Sequence, residues 1–413
     1  MINSTANFST RLKDVYEEYP RQFWLVAFGV LLSSAGSSMI WPFQLIYISK
    51  TLALPLSSAA TLIAISSVTG LLVSVLGGAI ADRFGRKLIM FTAQAAHGLA
   101  YILMSHAGTY AGFIVPMTIM GAAMPFYAVG SDAMMADIIP SEKRSGAIAI
   151  LRMTNNAGIA IGPAIGGIVV ASSYTTAFYL AAAGMFAYSL LLLTSVRETL
   201  KRTGDVSQPL SEMLTGYFRV LSDGGFMTFV SAITIGMIAP LMMWTLLAVY
   251  MNKYYAIPEY LYSWLPVTNA LMCVFVQYPV TMLSRRLRAK TAIALGMLVY
   301  ALGVGSVVIM SGFWGFWFSM VVMTFGELIL VPTGSKYVAD IAPQQLRGRY
   351  MGIYWLTWGF ARSAAPIAGG YLHDSISPQA IWWGGLAIGL FSTLILFALS
   401  RQPDQSLLPA PAD

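Results

Sequence analysis

The sequence predicts an all-α membrane protein, with twelve transmembrane helices arranged as two pseudo-symmetric six-helix bundles. Composition gives the first indication. Of the 413 residues, 57% are hydrophobic and 10% are charged, whereas a soluble domain carries about 25% charged residues. Twelve long apolar runs and an internal repeat supply the other two indications.

The apolar runs set the number of spans, because about 20 consecutive apolar residues cross a bilayer as a helix. A charge-rich segment at 196–222 separates two groups of six runs. We therefore expect an N-terminal bundle (1–195), a cytoplasmic linker (196–222) and a C-terminal bundle (223–413). The expected spans are 22–46, 57–81, 87–107, 111–137, 145–171, 175–195, 224–251, 260–283, 290–311, 314–338, 348–373 and 379–400.

The second group of runs repeats features of the first at a constant offset of 203 residues. Three regions show the repeat. Near the end of the first span, Trp41, Tyr47 and Lys50 recur as Trp244, Tyr250 and Lys253. The stretch Ala136-Asp137-Ile138 recurs as Ala339-Asp340-Ile341, and the set Pro163, Gly166 and Gly167 recurs as Pro366, Gly369 and Gly370. Parallel halves of this kind are related by an axis along the membrane normal. Such halves place a substrate site between them.

The positive charges indicate the orientation. If the loops alternate sides, 21 of the 24 Lys and Arg residues fall on or near one face. Such an excess marks the cytoplasmic side of a membrane protein. We expect a multi-pass protein of the plasma (inner) membrane with both termini in the cytoplasm. Nucleic-acid binding would need a basic groove on a soluble surface, and the sequence offers none.

The sequence gives no indication of an enzyme. It contains no H-E-x-x-H, no G-x-S-x-G and no Walker loop, so metalloprotease, hydrolase and ATP-driven chemistry are not expected. Three scattered histidines and one cysteine do not make a usual metal site. We expect no cofactor, and we interpret Cys273, inside an apolar run, as a buried inert thiol.

The turn between the second and third spans carries the most specific motif. It reads G-x-x-x-D-R-x-G-R-K and concentrates four charges where charge is otherwise scarce. This pattern resembles the cytoplasmic loop of major facilitator superfamily transporters, which implies that fold and a gating role. The residues concerned are Gly78, Asp82, Arg83, Gly85, Arg86 and Lys87.

The resemblance also implies partners for this turn. In the family, an aspartate at the end of the fourth span pairs with the loop arginine, so Asp137 is the expected partner of Arg86. Asp82 is expected near the start of the eleventh helix, around Gly348, where it would stabilise the outward-open state. The second copy of the motif is degraded, with Arg285 and Arg288 in place of Asp82 and Gly85.

The fifth span carries a second motif. It is a strip of small residues along the helix, and it consists of Gly158, Gly162, Pro163, Gly166 and Gly167. The strip resembles the signature of the twelve-span drug:proton antiporter group. The resemblance implies export. Ala149 replaces the first glycine of that signature. Simple helix packing explains such a strip equally well, because small residues let helices approach closely.

Four ionisable residues lie inside the expected spans, where each costs about 2.5–3.5 kcal/mol on insertion scales. Asp132 and Arg152 lie at equal distances from the turn between spans 4 and 5. Glu327 and Arg362 are placed in the same way around the turn between spans 10 and 11. We therefore expect two pairs at matching depths. One interpretation is that these pairs act in proton coupling, with Glu327 as the principal proton carrier. The other is that they are structural pairs whose charges neutralise each other.

The favoured function is proton-coupled efflux of amphiphilic or cationic small molecules by alternating access. The candidate cavity residues are Trp41, Tyr127, Asn155, Asn156, Met243 and Trp244. An uptake symporter for a sugar, organic acid or peptide is the main alternative, and a non-transporting sensor is a third. An apolar, aromatic-rich cavity with few hydrogen-bonding groups favours export. Protons, the substrate and membrane lipid are the expected partners of a monomer.

Overall fold

The computed structural model describes residues 15–200 and 217–402, with the side chains of 75–82 and 145 outside the description. Over these residues the chain is helical and contains no strand. The helices of the first half are α1 Arg21–Ile40, α2 Gln44–Leu52, α3 Leu56–Phe84, α4 Arg86–His106, α5 Tyr110–Ile138, α6 Arg144–Ser172 and α7 Tyr174–Ser195. Those of the second half are α8 Gly224–Tyr255, α9 Glu259–Tyr262, α10 Trp264–Phe275, α11 Gln277–Ser284, α12 Ala289–Ser306, α13 Gly312–Ile341, α14 Arg347–Ser375 and α15 Ala380–Ser400.

The internal repeat is present in the helix boundaries. A shift of 203 residues carries α6 onto α14 with both ends matching, and carries the stretch from Arg21 to Leu52 onto α8. The two alanines with positive φ, Ala53 at 50° and Ala256 at 51°, end the first span of each half at equivalent positions. The pseudo-symmetric architecture predicted from the sequence is therefore confirmed.

Ten of the described helical segments are long and apolar enough to cross a membrane, and the bent α9–α11 segment makes eleven. The remaining expected span is α14. It is less apolar, but its 29 residues are long enough to cross, and it packs against α3 and α8. Every expected span thus has its helix, although α2 and α8 continue several residues beyond the predicted ends. The assignment of 196–222 as a linker stays a prediction, since 201–216 lies outside the described residues.

Prolines make the two halves differ. The first span is interrupted by a 3-10 turn at Trp41–Phe43, which contains Pro42, whereas α8 runs without a break through the equivalent positions. The eighth span bends by 59° between Phe275 and Gln277. Pro279 explains this bend, because a proline cannot donate to the carbonyl four residues earlier and its ring clashes with it.

The glycine strip of the fifth span packs α6 onto α1. A Cβ at Gly158 would approach Ser34 Cβ to 2.6 Å, one at Gly162 would collide with Ser38 Oγ, and one at Gly166 would collide with the Met39 carbonyl. Ser38 Oγ also donates to the Gly158 carbonyl at 3.0 Å. The small residues therefore bring two backbones into direct contact, as expected for packing of membrane helices.

The next glycine of the strip faces the other half of the molecule. A Cβ at Gly167 would collide with Ser263 Oγ and approach Tyr260 Cα to 2.9 Å. Its repeat equivalent, Gly370 of α14, lies against Ser57 of α3, whose Cα would be 2.7 Å from a new Cβ. The halves thus meet at two equivalent glycines, one on each side of the pseudo-symmetry axis.

We predict that Gly162→Ala destabilises the protein by about 1–3 kcal/mol, the usual cost of overpacking a filled contact. The measurement is thermal unfolding of the purified protein in detergent. Gly108→Ala is the matched control, because a Cβ at Gly108 meets nothing within 4 Å. Equal unfolding temperatures for the two variants would contradict the close contact between α1 and α6.

Candidate functional site

A cavity of about 980 Å³ lies between the two halves. It extends to Ile139 and Arg144, at the end of the bundle that carries the turns at 85, 139–143, 285–288 and 342–346, here named the basic face. Charged and polar side chains form much of its wall. The lining residues are Asp132, Met135, Ala136, Ile139, Arg144, Ala147, Ile148, Leu151, Arg152, Asn156, Cys273, Gln277, Thr281, Glu327, Val331, Pro332, Ser335 and Trp355.

An ionic cluster joins the halves at the opposite face. Lys50 Nζ, at the end of α2, donates to Glu259 Oε1 at 2.8 Å, and Tyr174 OH donates to the same oxygen at 3.1 Å. Only 10% of the Glu259 side chain is exposed. Because Lys50 and Tyr174 belong to the first half and Glu259 to the second, these bonds exist only while the opposite face is closed.

A second chain of hydrogen bonds closes the other side of this face. The backbone N–H of Ser57, in the first turn of α3, donates to Asp374 Oδ2 at 2.8 Å. The other oxygen of Asp374 lies 2.6 Å from His373 Nδ1, and His373 Nε2 lies 2.6 Å from Tyr254 OH. The carboxylate also suits the positive end of α3.

The pseudo-symmetry axis passes close to Trp41 and Trp244. These repeat-equivalent rings contact one another, with centroids 5.5 Å apart, and two equivalent residues touch only near the axis that relates them. They lie between the closed opposite face and the cavity. Over the described residues, the structure is therefore a state in which the halves are joined at the opposite face and the space between them lies toward the basic face.

The expected charge pairs are not joined in this state. The described ion pairs and hydrogen bonds include none between Asp132 and Arg152 and none between Glu327 and Arg362. Asp132, Arg152 and Glu327 do line one cavity, and Arg362 is absent from its lining. Distance from a turn fixes the depth of a residue but not the direction of its side chain around the helix, so the pairing prediction was wrong for this conformation.

Glu327 instead contacts the eighth span. Asn269 Nδ2 of α10 donates to Glu327 Oε2 at 2.9 Å and lies 3.1 Å from Thr324 Oγ1. Directly after the bend, Gln277 Nε2 donates to the Leu328 carbonyl at 2.9 Å. The sequence analysis missed both amides, although a polar residue in an apolar span is the kind of signal that could have identified them.

Most of the expected cavity residues lie elsewhere. Tyr127 OH is 2.9 Å from Tyr188 OH inside the first half, and Met243 is fully buried. Asn155 accepts a hydrogen bond from Ser34 Oγ, and only Asn156 of the six lines the cavity. The expectation of an aromatic-rich cavity was also wrong, because Trp355 is the one aromatic residue among its described lining residues.

The turn at 85 is held by carboxylates. Arg86 Nε lies 3.3 Å from Asp137 Oδ2, which confirms the expected ion pair, and Lys87 Nζ donates to the Leu193 carbonyl at 2.8 Å. Gly85 adopts φ 95°, a conformation that favours glycine. Arg83 Cζ lies 5.6 Å from the centroid of the neighbouring Phe84 ring.

Glu198, which the sequence analysis placed only in the linker, caps this turn. Its carboxylate oxygens accept from the backbone N–H groups of Arg86 and Lys87, each at 3.1 Å. Partial burial alone would raise the pKa of Glu198, but hydrogen bonds from backbone N–H groups outweigh it and hold the pKa below its usual value. The side chain of Asp82 and the surroundings of Gly78 lie outside the described residues.

The comparisons with known proteins agree with this architecture. A family model described as Major Facilitator Superfamily matches residues 26–254 and 224–413. The chain belongs to the major facilitator superfamily. It is a multi-pass membrane transporter.

Three similar proteins illustrate the range of relatives. The Na(+), Li(+), K(+)/H(+) antiporter of Planococcus maritimus is 26% identical over 390 residues, which cover 86% of this transporter and 89% of the antiporter. Multidrug resistance protein MdtH of Yersinia enterocolitica is 23% identical over 334 residues, which cover 78% of this transporter and 80% of MdtH. The solved structure of a point mutant of the nucleoside transporter NupG superposes with a TM-score of 0.80 at 12% identity, covering 92% of this chain and 100% of that one. At that identity the likeness concerns the fold alone.

We predict that Glu259→Gln and Lys50→Gln each favour opening of the opposite face. Losing a hydrogen bond to a charged group costs about 1.5–3 kcal/mol. Such a loss shifts a balanced equilibrium roughly ten- to hundredfold. Distances between spin labels at 108 and 311, measured in a Cys273→Ser background, should report this shift.

Lys253→Gln is the matched control for the lysine variant. Lys253 is the repeat equivalent of Lys50, but its Nζ lies over the Tyr254 ring of its own half, 5.5 Å from the centroid. Its removal should leave the label distances unchanged. An unchanged distance distribution in Glu259→Gln would show that the cluster does not hold the halves together.

Proposed function

We propose that this protein is a proton-coupled exporter of amphiphilic, often cationic small molecules, working by alternating access. The basic face is then the cytoplasmic one, the chain acts as a monomer in the plasma membrane, and no cofactor takes part. The observation that carries the proposal is a carboxylate, Glu327, in the wall of a large cavity between the halves. An acid in that position is available to a proton or to a cationic substrate, but not to both.

The conformation of the structure fits the loading step of this cycle. The cavity is open to the cytoplasm, while the cluster around Glu259 closes the outer face. An ionised Glu327 attracts a cationic amphiphile into the cavity. After the halves rock to the outward-open state, a proton from the more acidic exterior takes the place of the substrate on the carboxylate.

Asn269 links the eighth span to the carboxylate. Its amide donates to Glu327 Oε2, so the hydrogen bonding of α10 depends on whether Glu327 is ionised. The same span carries Glu259 of the outer cluster at its other end. A change at Glu327 therefore acts on the helix that also closes the exit, which is the connection that alternating access requires. Asp132, nearer the basic face, is the second candidate proton carrier.

Two relatives support this proposal. One is named a cation/proton antiporter, which supports antiport, and another is named a multidrug resistance protein, which supports a drug-like cargo. One observation favours the alternative of a proton-coupled uptake symporter. The cavity is more polar than an export site for lipophilic compounds needs to be, with Asn156, Gln277, Thr281 and Ser335 in its wall. Such groups would also suit a sugar, organic acid or peptide.

We predict that Glu327→Gln abolishes uphill transport driven by a pH gradient while binding of a neutral substrate persists. Glutamine mimics the protonated acid at nearly constant volume and cannot release a proton. Dye transport in proteoliposomes, with a pH gradient of either sign, is the measurement. Glu142→Gln, on an exposed turn, is the control. Wild-type accumulation by Glu327→Gln would leave Asp132 as the carrier. Proton-driven sugar uptake without dye efflux would replace export with symport.

We predict that Asp82→Asn favours the inward-open state, because it removes an anion expected to stabilise the start of α14 in the outward-open state. A Cβ at Gly348 would meet nothing within 4 Å in the present state, so this surface is open to receive the turn when the basic face closes. A charge of suitable sign at a helix end stabilises the helix by about 0.3–2 kcal/mol, so its loss should shift the equilibrium between the two states by that amount.

Spin labels at 142 and 345 would report the separation of the halves at the basic face. Arg285→Gln, at the repeat equivalent of Asp82, is the control and should leave the distances unchanged. The gating idea fails if the Asp82→Asn and wild-type distance distributions coincide.

A further inference from the structure

We propose that the cavity contains a subsite for an anionic group, centred on Arg152, and that its preferred cargo is an aromatic zwitterion with separated amine and carboxylate groups. This inference rests on the proposed export function and narrows its substrate class. The carboxylate binds Arg152 of the first half, the amine lies near Glu327 of the second half, and the aromatic ring contacts Trp355.

The first observation is that Arg152 carries no internal counter-charge. Two arginines line the cavity. Arg144 is engaged, because its Nε donates to the Ile139 carbonyl at 3.1 Å and its Nη2 to the Ala136 carbonyl at 2.7 Å. Arg152 has neither a hydrogen bond nor an ion pair with any described residue, Asp132 included. A guanidinium in this position is free to bind an oxyanion in bidentate fashion.

The second observation places the opposite charge in the same cavity. Glu327 of α13 and Arg152 of α6 line the same cavity, as does Cys273 of α10. Arg152 belongs to the first half of the protein and Glu327 to the second. A cargo with two separated charges therefore contacts both halves at once through this pair, whereas a simple cation gains nothing from Arg152.

The third observation concerns the remaining wall. Trp355 of α14 occupies the position equivalent to Arg152 in the repeat and is 48% exposed. Ile148, Leu151 and Val331 also contribute apolar side chains to the cavity wall. An aromatic ring on the cargo would bury itself on this surface. A zwitterion would satisfy both protein charges and leave no net charge in the low-dielectric region.

The proposal can be tested with three compounds on one scaffold. Nα-dansyl-lysine is a zwitterion with separated charges, its methyl ester is a cation, and its Nε-acetyl derivative is an anion. We expect wild-type protein in proteoliposomes to export the zwitterion with a kcat/KM about tenfold above that of the ester, the gain of one charge-assisted hydrogen-bonded contact. Dansyl fluorescence measures binding to the purified protein independently.

Arg152→Gln should remove this preference by lowering the affinity for the zwitterion about tenfold, with export of the ester retained. Arg152→Lys, which keeps the charge but loses the bidentate geometry, should retain part of the preference. Arg401→Gln removes a positive charge from an exposed position after α15 and should leave the preference intact. Export of the ester by Arg152→Gln shows that the variant is folded.

The possible outcomes separate this proposal from the one on which it rests. If the wild type exports the ester but neither binds nor exports the zwitterion, the anion subsite is wrong and export stands. If Arg152→Gln keeps the wild-type ratio of kcat/KM for the zwitterion to that for the ester, the anion subsite is likewise wrong and export stands. If the wild type exports no member of the series against a pH gradient, export itself fails. Should Arg152→Gln not fold, the ratio measured for Arg152→Lys decides: a full wild-type preference would contradict the bidentate contact.

Discussion

The structure depends on two glycines that allow the halves to touch. At Gly167 and Gly370, the backbone of one half lies directly against a helix end of the other, with no room for a Cβ. These contacts bring Glu259 within reach of Lys50, and Asp374 within reach of Ser57. Because the halves meet at this face, the space between them opens at the basic face. The cavity and its charged wall follow from that geometry.

The repeat sets this contact, and later divergence modifies it. The offset of 203 residues that matches the helix ends also relates Gly167 to Gly370 and Trp41 to Trp244. The basic-face turn shows what divergence changes. In the first half, Gly85 has φ 95° and Glu198 accepts the backbone N–H groups that follow. In the second half, Arg288 has φ −62° and Arg401 stands where Glu198 would be. The second half therefore has neither the carboxylate of Glu198 nor the glycine, Gly85, that leaves room for it.

The sequence predicted the fold well because the bilayer imposes simple rules. Length and apolarity located the spans to within a few residues at most ends. A constant offset identified the repeat, and a family motif paired Arg86 with Asp137. The extra length of α2 and α8 was missed because the last turns are polar, as at Lys50 and Lys253. The bend near Pro279 could have been read from the proline itself.

The candidate site was predicted less well, because depth alone does not determine contact. Asp132, Arg152 and Glu327 were correctly singled out as unusual charges, and all three line the cavity. Their partners depend on the rotation and tilt of each helix, which periodicity in an apolar span does not reveal. Glu327 therefore contacts Asn269 rather than Arg362. The aromatic residues Trp41 and Tyr127 were assigned to the cavity by type, and their contacts with Trp244 and Tyr188 occupy them elsewhere.

The walls of the cavity show how a symmetric scaffold becomes an asymmetric site. Asp132 and Ser335 are equivalent positions, as are Arg152 and Trp355, and all four line the cavity. The first half thus supplies an acid and a base where the second supplies a hydroxyl and an indole. Glu327 adds an acid to the second half, at the position where the first has Met124. Each half consequently carries a carboxylate, but only the first carries a cavity arginine without an internal partner. Any cargo that moves between the halves must exchange contacts across this difference, so the asymmetry of charge, rather than the symmetry of the fold, determines what the transporter recognises.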